Sequence, residues 1–394
     1  MTRSRDVFSE RASFELAPNA LSVALSRARS ENRPVLDLTV SNPTQADIAY
    51  DESAIVQALS SRDALRYEPS PFGLISARQA VAETLSATGV AVDPAQIALT
   101  SSTSEAYGFL FKLLADPGDE VLVPAPSYPL HEHLARLEGV ACKRYRLAYD
   151  GAWHVDLDGL RASVSPRCRA IVAVNPNNPT GSFLTADEFR AMASIGLPVV
   201  CDEVFAEYPL KEGRHIARAK DFDASLVFSL GGLSKLAALP QVKLAWIAVT
   251  GRPDRVVQAL ERLEVIADAF LSVGTPVQLA TRTLLSSRRP ALDAIRARTL
   301  SNLDCARSVL DGSAASLLDV EGGWYATLRL PATLGEEDWA LLFLEKEGVY
   351  VHPGHFFDFE SEPFVVLSLL TPEASFREGL RRIALRIGSA TARV

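Results

Sequence analysis

Cysteine is scarce in this chain. Four occur in 394 residues, Cys142, Cys168, Cys201 and Cys305, with neither the Cys-x-x-Cys spacing of a metal clip nor a framework for a disulfide-stapled secreted domain. They read as buried reduced thiols. Long apolar runs are missing too: none approaches the ~18 residues that a membrane span requires. The N-terminal stretch MTRSRDVFSERASFELAPN, interrupted by Asp6, Glu10 and Glu15, never builds the apolar core of a secretory signal, so a cytoplasmic protein without a membrane partner is expected. A basic excess is also absent, since 40 Lys plus Arg against 48 Asp plus Glu leave a net charge of −8. That balance argues against nucleic acid as a partner. No His/Asp/Glu spacing suggests a metal centre, and no internal repeat, low-complexity tract or flexible linker interrupts the chain.

What remains is the composition of an ordinary globular enzyme, 48% hydrophobic and 22% charged. The length exceeds what one core usually supports and points to two packed units. From about Gln96 to Val249, short apolar runs alternate with helical patterns: IALTS then EAYGFLFKLLA, EVLVP then a helix through His133 to Leu137, AIVAVNP, PVVCDE, SLVFSL and LAWIAV. Such alternation reads as a mostly parallel sheet covered by helices on both faces, with its site at the strand C-terminal ends. Pro253 to about Leu310 has helical periodicity with breaks at Gly274-Thr275-Pro276 and near Arg289-Pro290. Apolar runs then follow at Trp324 to Leu328, Val349 to Val351 and Phe364 to Leu369, before a helix from about Pro372 to Ile387. The expected division is a large α/β domain over residues 46–285 and a small α+β domain made of 1–45 and 286–394.

The strongest chemical signal is Asn175-Pro176-Asn177-Asn178-Pro179-Thr180-Gly181, directly after the strand pattern AIVAV. Two Asn-Pro steps and a Thr-Gly force a non-helical turn and leave amide side chains at a strand end. Cys201-Asp202-Glu203 ends the next strand pattern, and Ser234-Lys235 follows another strand and Gly231-Gly232. Three polar groups therefore converge on one sheet edge. Thr100-Ser101-Ser102-Thr103-Ser104-Glu105 opens a helix with hydroxyls and free N–H groups; it is a capping box that can also hold an anion.

The order NPNNPTG, CDE, SK resembles the class I/II aminotransferase family of fold type I pyridoxal-phosphate enzymes, from about Val35 to the C-terminus. The resemblance implies a large domain with a mostly parallel sheet of the seven-stranded type, a small α+β domain, and pyridoxal 5′-phosphate as cofactor. It implies that Lys235 forms a Schiff base with the cofactor aldehyde, its amine made nucleophilic by burial. Asp202 would keep the pyridine nitrogen protonated, so that the ring withdraws electrons from the substrate carbon. Asn178 corresponds to the hydrogen-bond donor to the phenolic oxygen, Tyr128 to the aromatic ring stacked on the pyridine, and His131 to a histidine supporting Asp202. Ser102, Thr103, Ser104, Ser234 and Lys243 match the phosphate site, and Tyr67 a tyrosine that reaches the phosphate of the neighbouring subunit. A homodimer with shared sites is thus implied. Pro126 and Pro179 match positions that are cis in relatives, and Val351 to Phe357 resembles a loop at the substrate entrance, where His352 and His355 read as ordinary loop residues.

This sequence also departs from the family's pattern. Ser102 stands where glycine is usual, and Lys243 replaces an arginine, so a bidentate fork becomes a point charge. Phe205 replaces a tyrosine that donates to the phenolic oxygen, and removes that donor. Val366 occupies the place of the arginine that grips the substrate α-carboxylate. The implied activity is transfer of an amino group from an amino acid or related amine to a 2-oxo acid, with unusual carboxylate recognition; Asn42, His355 or an arginine from elsewhere could bind that group instead. A C–S β-lyase or a decarboxylase needs nearly the same residues. A ligand-sensing, non-catalytic relative is a remoter alternative.

Overall fold

The apolar runs between Gln96 and Gly251 pair into one sheet because each is buried on both sides. In the computed structural model, which describes residues 7–211, 226–360 and 363–391, Glu120–Ala125, Val199–Asp202 and Leu226–Gly232 are buried along their whole length. The first six residues of the N-terminal stretch lie outside the described residues. Strand geometry sends alternate side chains to opposite faces. Val121, Val123, Val172, Phe228 and Ile247 meet Tyr107, Phe109 and Phe111 of helix Thr103–Leu114 and Leu263 of helix Pro253–Phe270. Leu122, Ile171, Ala173 and Cys201 face the other way, against Phe189 and Met192 of helix Ala186–Ser194. Each such fully buried side chain contributes roughly 1.5–3 kcal/mol of transfer free energy, which is why both faces must be covered.

The sheet runs Ile97–Thr100, Ala245–Gly251, Leu226–Gly232, Val199–Asp202, Cys168–Val174, Glu120–Ala125, Ala141–Tyr149, Trp153–Val155. Its middle is parallel: the five strands from Leu226–Gly232 to Ala141–Tyr149 pair in one direction. Ala245–Gly251 is antiparallel to both neighbours, and Trp153–Val155 adds a short eighth strand through a hairpin. The seven-strand expectation thus omitted one edge strand of three residues.

The helical region breaks where the sequence suggests, into Pro253–Phe270, Thr275–Ser286 and Arg289–Leu310. A second, antiparallel sheet follows, in the order Ser316–Leu317, Tyr325–Arg329, Phe364–Ser368, His352–Pro353. Ala326, Leu328, Val365 and Leu367 of that sheet join Trp339, Phe343, Phe376 and Leu380 in a core that also takes in Leu21, Ala24 and Leu38 from the N-terminal segment. Leu36–Asp37 pairs in parallel with Val349–Tyr350. Alternation leaves Tyr325, Thr327, Val366 and Ser368 on the opposite face, away from that core. Among the described residues no helix is long and apolar enough to cross a membrane. Cys168, Cys201 and Cys305 are buried; Cys142, expected to be buried as well, is only half-buried because its strand lies near the sheet edge.

Gly231 shows how tightly the strand leading to Lys235 is packed. A Cβ there would lie 2.6 Å from the Trp246 ring, which belongs to its directly paired residue. Gly231→Ala should therefore cost about 1–3 kcal/mol through overpacking, read as a fall of several degrees in the thermal unfolding midpoint. An unchanged midpoint would mean that Trp246 can yield.

Candidate active site

Three neighbouring parallel strands end on the same edge, and each delivers one polar group there. Cys168–Val174 leads into the Asn-Pro turn, Val199–Asp202 ends on its acid, and Leu226–Gly232 runs into the short helix Leu233–Leu236 carrying Lys235. The turn is fixed from both sides. Its Asn175 N–H donates to Asp202 O at 2.8 Å, and Gly181 O accepts from Gly322 N–H at 2.9 Å. Gly181 has φ +70°, and a Cβ there would come within 2.6 Å of Gly322 O, so glycine is required. Asn177 donates through Nδ2 to Pro126 O at 3.1 Å and accepts the Ser127 hydroxyl at 3.1 Å. This ties the turn to the loop bearing Tyr128. The bonds before Pro126 and Pro179 are cis, as the resemblance implied, and so is the one before Pro176. Asn178 is buried, and its Oδ1 has no hydrogen-bond partner.

Asp202 is 7% exposed. Val204 N–H donates to its Oδ1 at 3.1 Å and the Tyr107 hydroxyl to its Oδ2 at 3.2 Å. Burial pushes its pKa up to about 6, against those two donors and the nearby Lys235 charge. His131 is buried as well, and its Nε2 lies 3.2 Å from the Tyr107 hydroxyl rather than on Asp202. The hydrogen-bonded path from His131 to Asp202 therefore passes through the Tyr107 hydroxyl. Burial holds the His131 imidazole neutral, its pKa lowered to about 4. Sequence reasoning missed Tyr107, because within EAYGFLFKLLA it looks like one more apolar core position. Tyr128 is 37% exposed, its ring edge-on to His131 at 5.9 Å between centroids.

Lys235 Nζ lies 4.6 Å from the Trp324 ring centroid and 5.3 Å from that of Phe205. Burial lowers its pKa to about 8, with Asp202 pulling the other way. The Tyr208 hydroxyl, whose ring lies edge-on to Phe205 at 6.5 Å, donates to Lys235 O at 2.5 Å. Trp324 comes from the Gly322-Gly323-Trp324-Tyr325 segment, and its Nε1 is buried without a hydrogen-bond partner.

Ser102 caps helix Thr103–Leu114: its hydroxyl accepts Glu105 N–H at 3.1 Å, while the Glu105 carboxylate accepts Ser101 N–H at 2.7 Å. The N–H groups of Thr103 and Ser104 belong to the first helical turn, where intrahelical partners are lacking. Ser234 is half-buried beside Lys235, and Lys243 is exposed in a left-handed conformation, φ +55°. Leu233 N–H donates to Leu244 O at 2.9 Å, which brings their two segments together. Tyr67 stands apart. It is 75% exposed and lines, with Pro69, Asp268, Leu271 and Gln278, a surface cavity of about 60 Å³.

Val366 is 1% exposed and sits between Thr327 and His352 on the paired strands. His352 packs among Tyr350, Phe356 and Phe357. His355 is held by Glu336, through its N–H at 2.6 Å and Nδ1 at 3.1 Å, and Asn42 Oδ1 accepts from Thr44.

The family described as aminotransferase class I and II matches residues 33–383. The glutamate-pyruvate aminotransferase AlaA of Escherichia coli K12 is 28% identical over 264 residues, 66% of this chain and 65% of that enzyme, so the chain spans about two thirds of its length in the match. The alanine aminotransferase of Mycobacterium tuberculosis H37Rv is 25% identical over 374 residues, 91% of this chain and 86% of that protein. Among solved structures, alanine aminotransferase from Pyrococcus furiosus superposes with a TM-score of 0.88 at 24% identity, covering 97% of this chain and all 100% of that one. An aspartate aminotransferase double mutant from Thermus thermophilus gives 0.83 at 23% identity, covering 96% and 99%. These structures share the fold type I architecture of a large mixed sheet and a smaller antiparallel one. With a family match across nearly the whole length, the chain belongs to the class I and II aminotransferases, which implies pyridoxal phosphate as its cofactor.

Proposed function

We propose that this protein is an aminotransferase that moves an amino group from an amino acid or related amine to a 2-oxo acid, with Lys235 as the residue that holds pyridoxal phosphate covalently. The observation that carries this reading is the amine of Lys235, lowered to about pKa 8 and lying over the rings of Phe205 and Trp324, at the same sheet edge as a buried carboxylate and an unpartnered amide. The residues fit the cofactor. Trp324 Nε1 is a buried donor without a partner, which an acceptor in the cleft would answer, and Asn178, whose Oδ1 is also unpartnered, would donate to the phenolic oxygen through its Nδ2. Asp202 would face the ring nitrogen, Tyr128 the ring plane, and the first turn of helix Thr103–Leu114 with Ser234 and Lys243 the phosphate. The bound cofactor supplies an electron sink for the bonds of the substrate carbon. Lys235 Nζ would hold the cofactor and, when free, would be the base placed to take the proton from that carbon.

Tyr67 and Leu271 are both largely exposed and share a cavity, as expected of a face covered by a second copy. Tyr67 then completes the neighbouring phosphate site, and the enzyme is a homodimer. The expected location is the cytoplasm.

Val366 governs the substrate. An apolar, fully buried side chain cannot neutralise a carboxylate, and leaving that charge unpaired in a dry site costs several kcal/mol. The preferred donor then lacks a conventionally placed α-carboxylate, or has it held by another group.

Lys235→Ala should bind pyridoxal phosphate without covalent attachment. Borohydride followed by mass spectrometry should find the adduct in the natural protein and none in the variant; an adduct in the variant refutes the assignment. In the natural apoprotein, attachment needs the neutral amine, which exists above its pKa. The attachment rate, followed by absorbance, should climb through about pH 8, where half the amine is neutral, and level off by about pH 9, whereas an ordinary lysine near pKa 10.4 would keep it climbing beyond about pH 10. Alanine, aspartate and glutamate should be poor donors in a half-reaction absorbance screen, and some other amine should convert the cofactor to its amine form. Rapid conversion by those three would overturn the Val366 argument, and elimination or decarboxylation without conversion would favour a lyase or decarboxylase.

A further inference from the structure

The hydroxyl of Tyr107 lies buried in the core of the large sheet, and the chemistry outlined above gives it no task. Helix Thr103–Leu114 presses Ala106, Tyr107, Phe109, Leu110 and Phe111 into the sheet, and Tyr107 is 2% exposed among them. A leucine or phenylalanine would fill this core equally well. What tyrosine adds is a hydroxyl, which must find partners once buried. It finds two, Asp202 Oδ2 at 3.2 Å and His131 Nε2 at 3.2 Å, with the His131 ring edge-on at 5.1 Å.

The donor directions follow from the chemistry of the three groups. An ionised carboxylate can only accept, so the phenolic proton points to Asp202. The oxygen of Tyr107 then presents a lone pair to His131, whose Nε2 must carry the proton of the neutral imidazole. Burial and the Asp202 charge raise the Tyr107 pKa well above its ordinary value, which keeps it a donor. Each carboxylate oxygen thus receives one hydrogen bond, from Val204 N–H on Oδ1 and from Tyr107 on Oδ2.

We propose that Tyr107 is a positioning residue, whose hydroxyl keeps Asp202 ionised as the acceptor for the cofactor's protonated ring nitrogen, and through which His131 acts. The inference rests on the assignment of Asp202 to that nitrogen. Burial alone drives a carboxyl toward its neutral form, and a neutral Asp202 would leave the ring nitrogen unprotonated. The two donors and Lys235 oppose that drift. Of these, the Tyr107 hydroxyl can be removed without altering the backbone or the amine that binds the cofactor.

The experiment reconstitutes natural protein, Tyr107→Phe, His131→Phe and the double variant with pyridoxal phosphate labelled with nitrogen-15 in the ring, and reads the ring-nitrogen chemical shift. Tyr107→Phe should move the resonance toward that of unprotonated pyridine and weaken cofactor binding about tenfold, as for the loss of a hydrogen bond to a charged group. His131→Phe, which leaves Tyr107 in place, should move it the same way by less. In a linear relay the double variant matches Tyr107→Phe alone, because His131 has no other route to Asp202. An unmoved resonance in Tyr107→Phe, or additive shifts in the double variant, overturns the proposal. Should Tyr107→Phe fail to fold, an unmoved resonance in His131→Phe overturns it as well. Natural protein that takes up no cofactor would instead refute the proposed function.

Discussion

A carboxylate buried at the end of a central strand is the constraint around which this molecule is arranged. Asp202 ends Val199–Asp202, flanked by parallel strands on both sides, and little solvent reaches it. Burying an ion there is costly unless donors surround it. The neighbours are of the required kind: a backbone N–H two residues on, a phenol from the covering helix, and an amine on the next strand's exit. The same surroundings depress Lys235, so one desolvated edge produces both a carboxyl that holds its proton more tightly and an amine that holds its proton less tightly than in water.

The Asn-Pro turn transmits that arrangement to the rest of the molecule. Through Asn177 it grips the Pro126-Ser127 loop, and through Gly181 it grips Gly322, just before strand Tyr325–Arg329 of the antiparallel sheet. Trp324, two residues further on, reaches the Lys235 amine. The turn is thus a joint between the two sheets, and the tight spacing at Gly181 and Gly322 leaves little freedom for one to slide on the other.

Much of this was legible in the sequence, for physical reasons. Strand exits carry polar residues directly after apolar runs, so Asn178, Asp202 and Lys235 stand out against their surroundings, and helix breaks at Gly274 and Pro290 announce themselves. What could not be read is what depends on pairing. Ala245–Gly251 is a buried apolar run like its neighbours, and nothing in such a run records that it is antiparallel. Trp153–Val155 is too short to show a period. Tyr107 sits at a core position of an amphipathic helix, where its ring satisfies the pattern and conceals its hydroxyl. Likewise Tyr208 and Phe205 differ by one oxygen, and only the hydrogen bond to Lys235 O shows that Tyr208 is occupied.

Val366 is packed between neighbours that suit an uncharged side chain. Across from it stand Thr327, buried with no partner for its hydroxyl, and His352, half-buried among aromatic rings and shifted toward its neutral form by that burial. None of the three supplies a fixed charge. At these three positions the sheet is neutral, where an arginine would need acceptors, room and water. An arginine placed at 366 alone would have to displace these packed groups and would be desolvated without a partner of its own until a substrate arrived. An arginine at this place would therefore require His352 and Thr327 to change together with Val366.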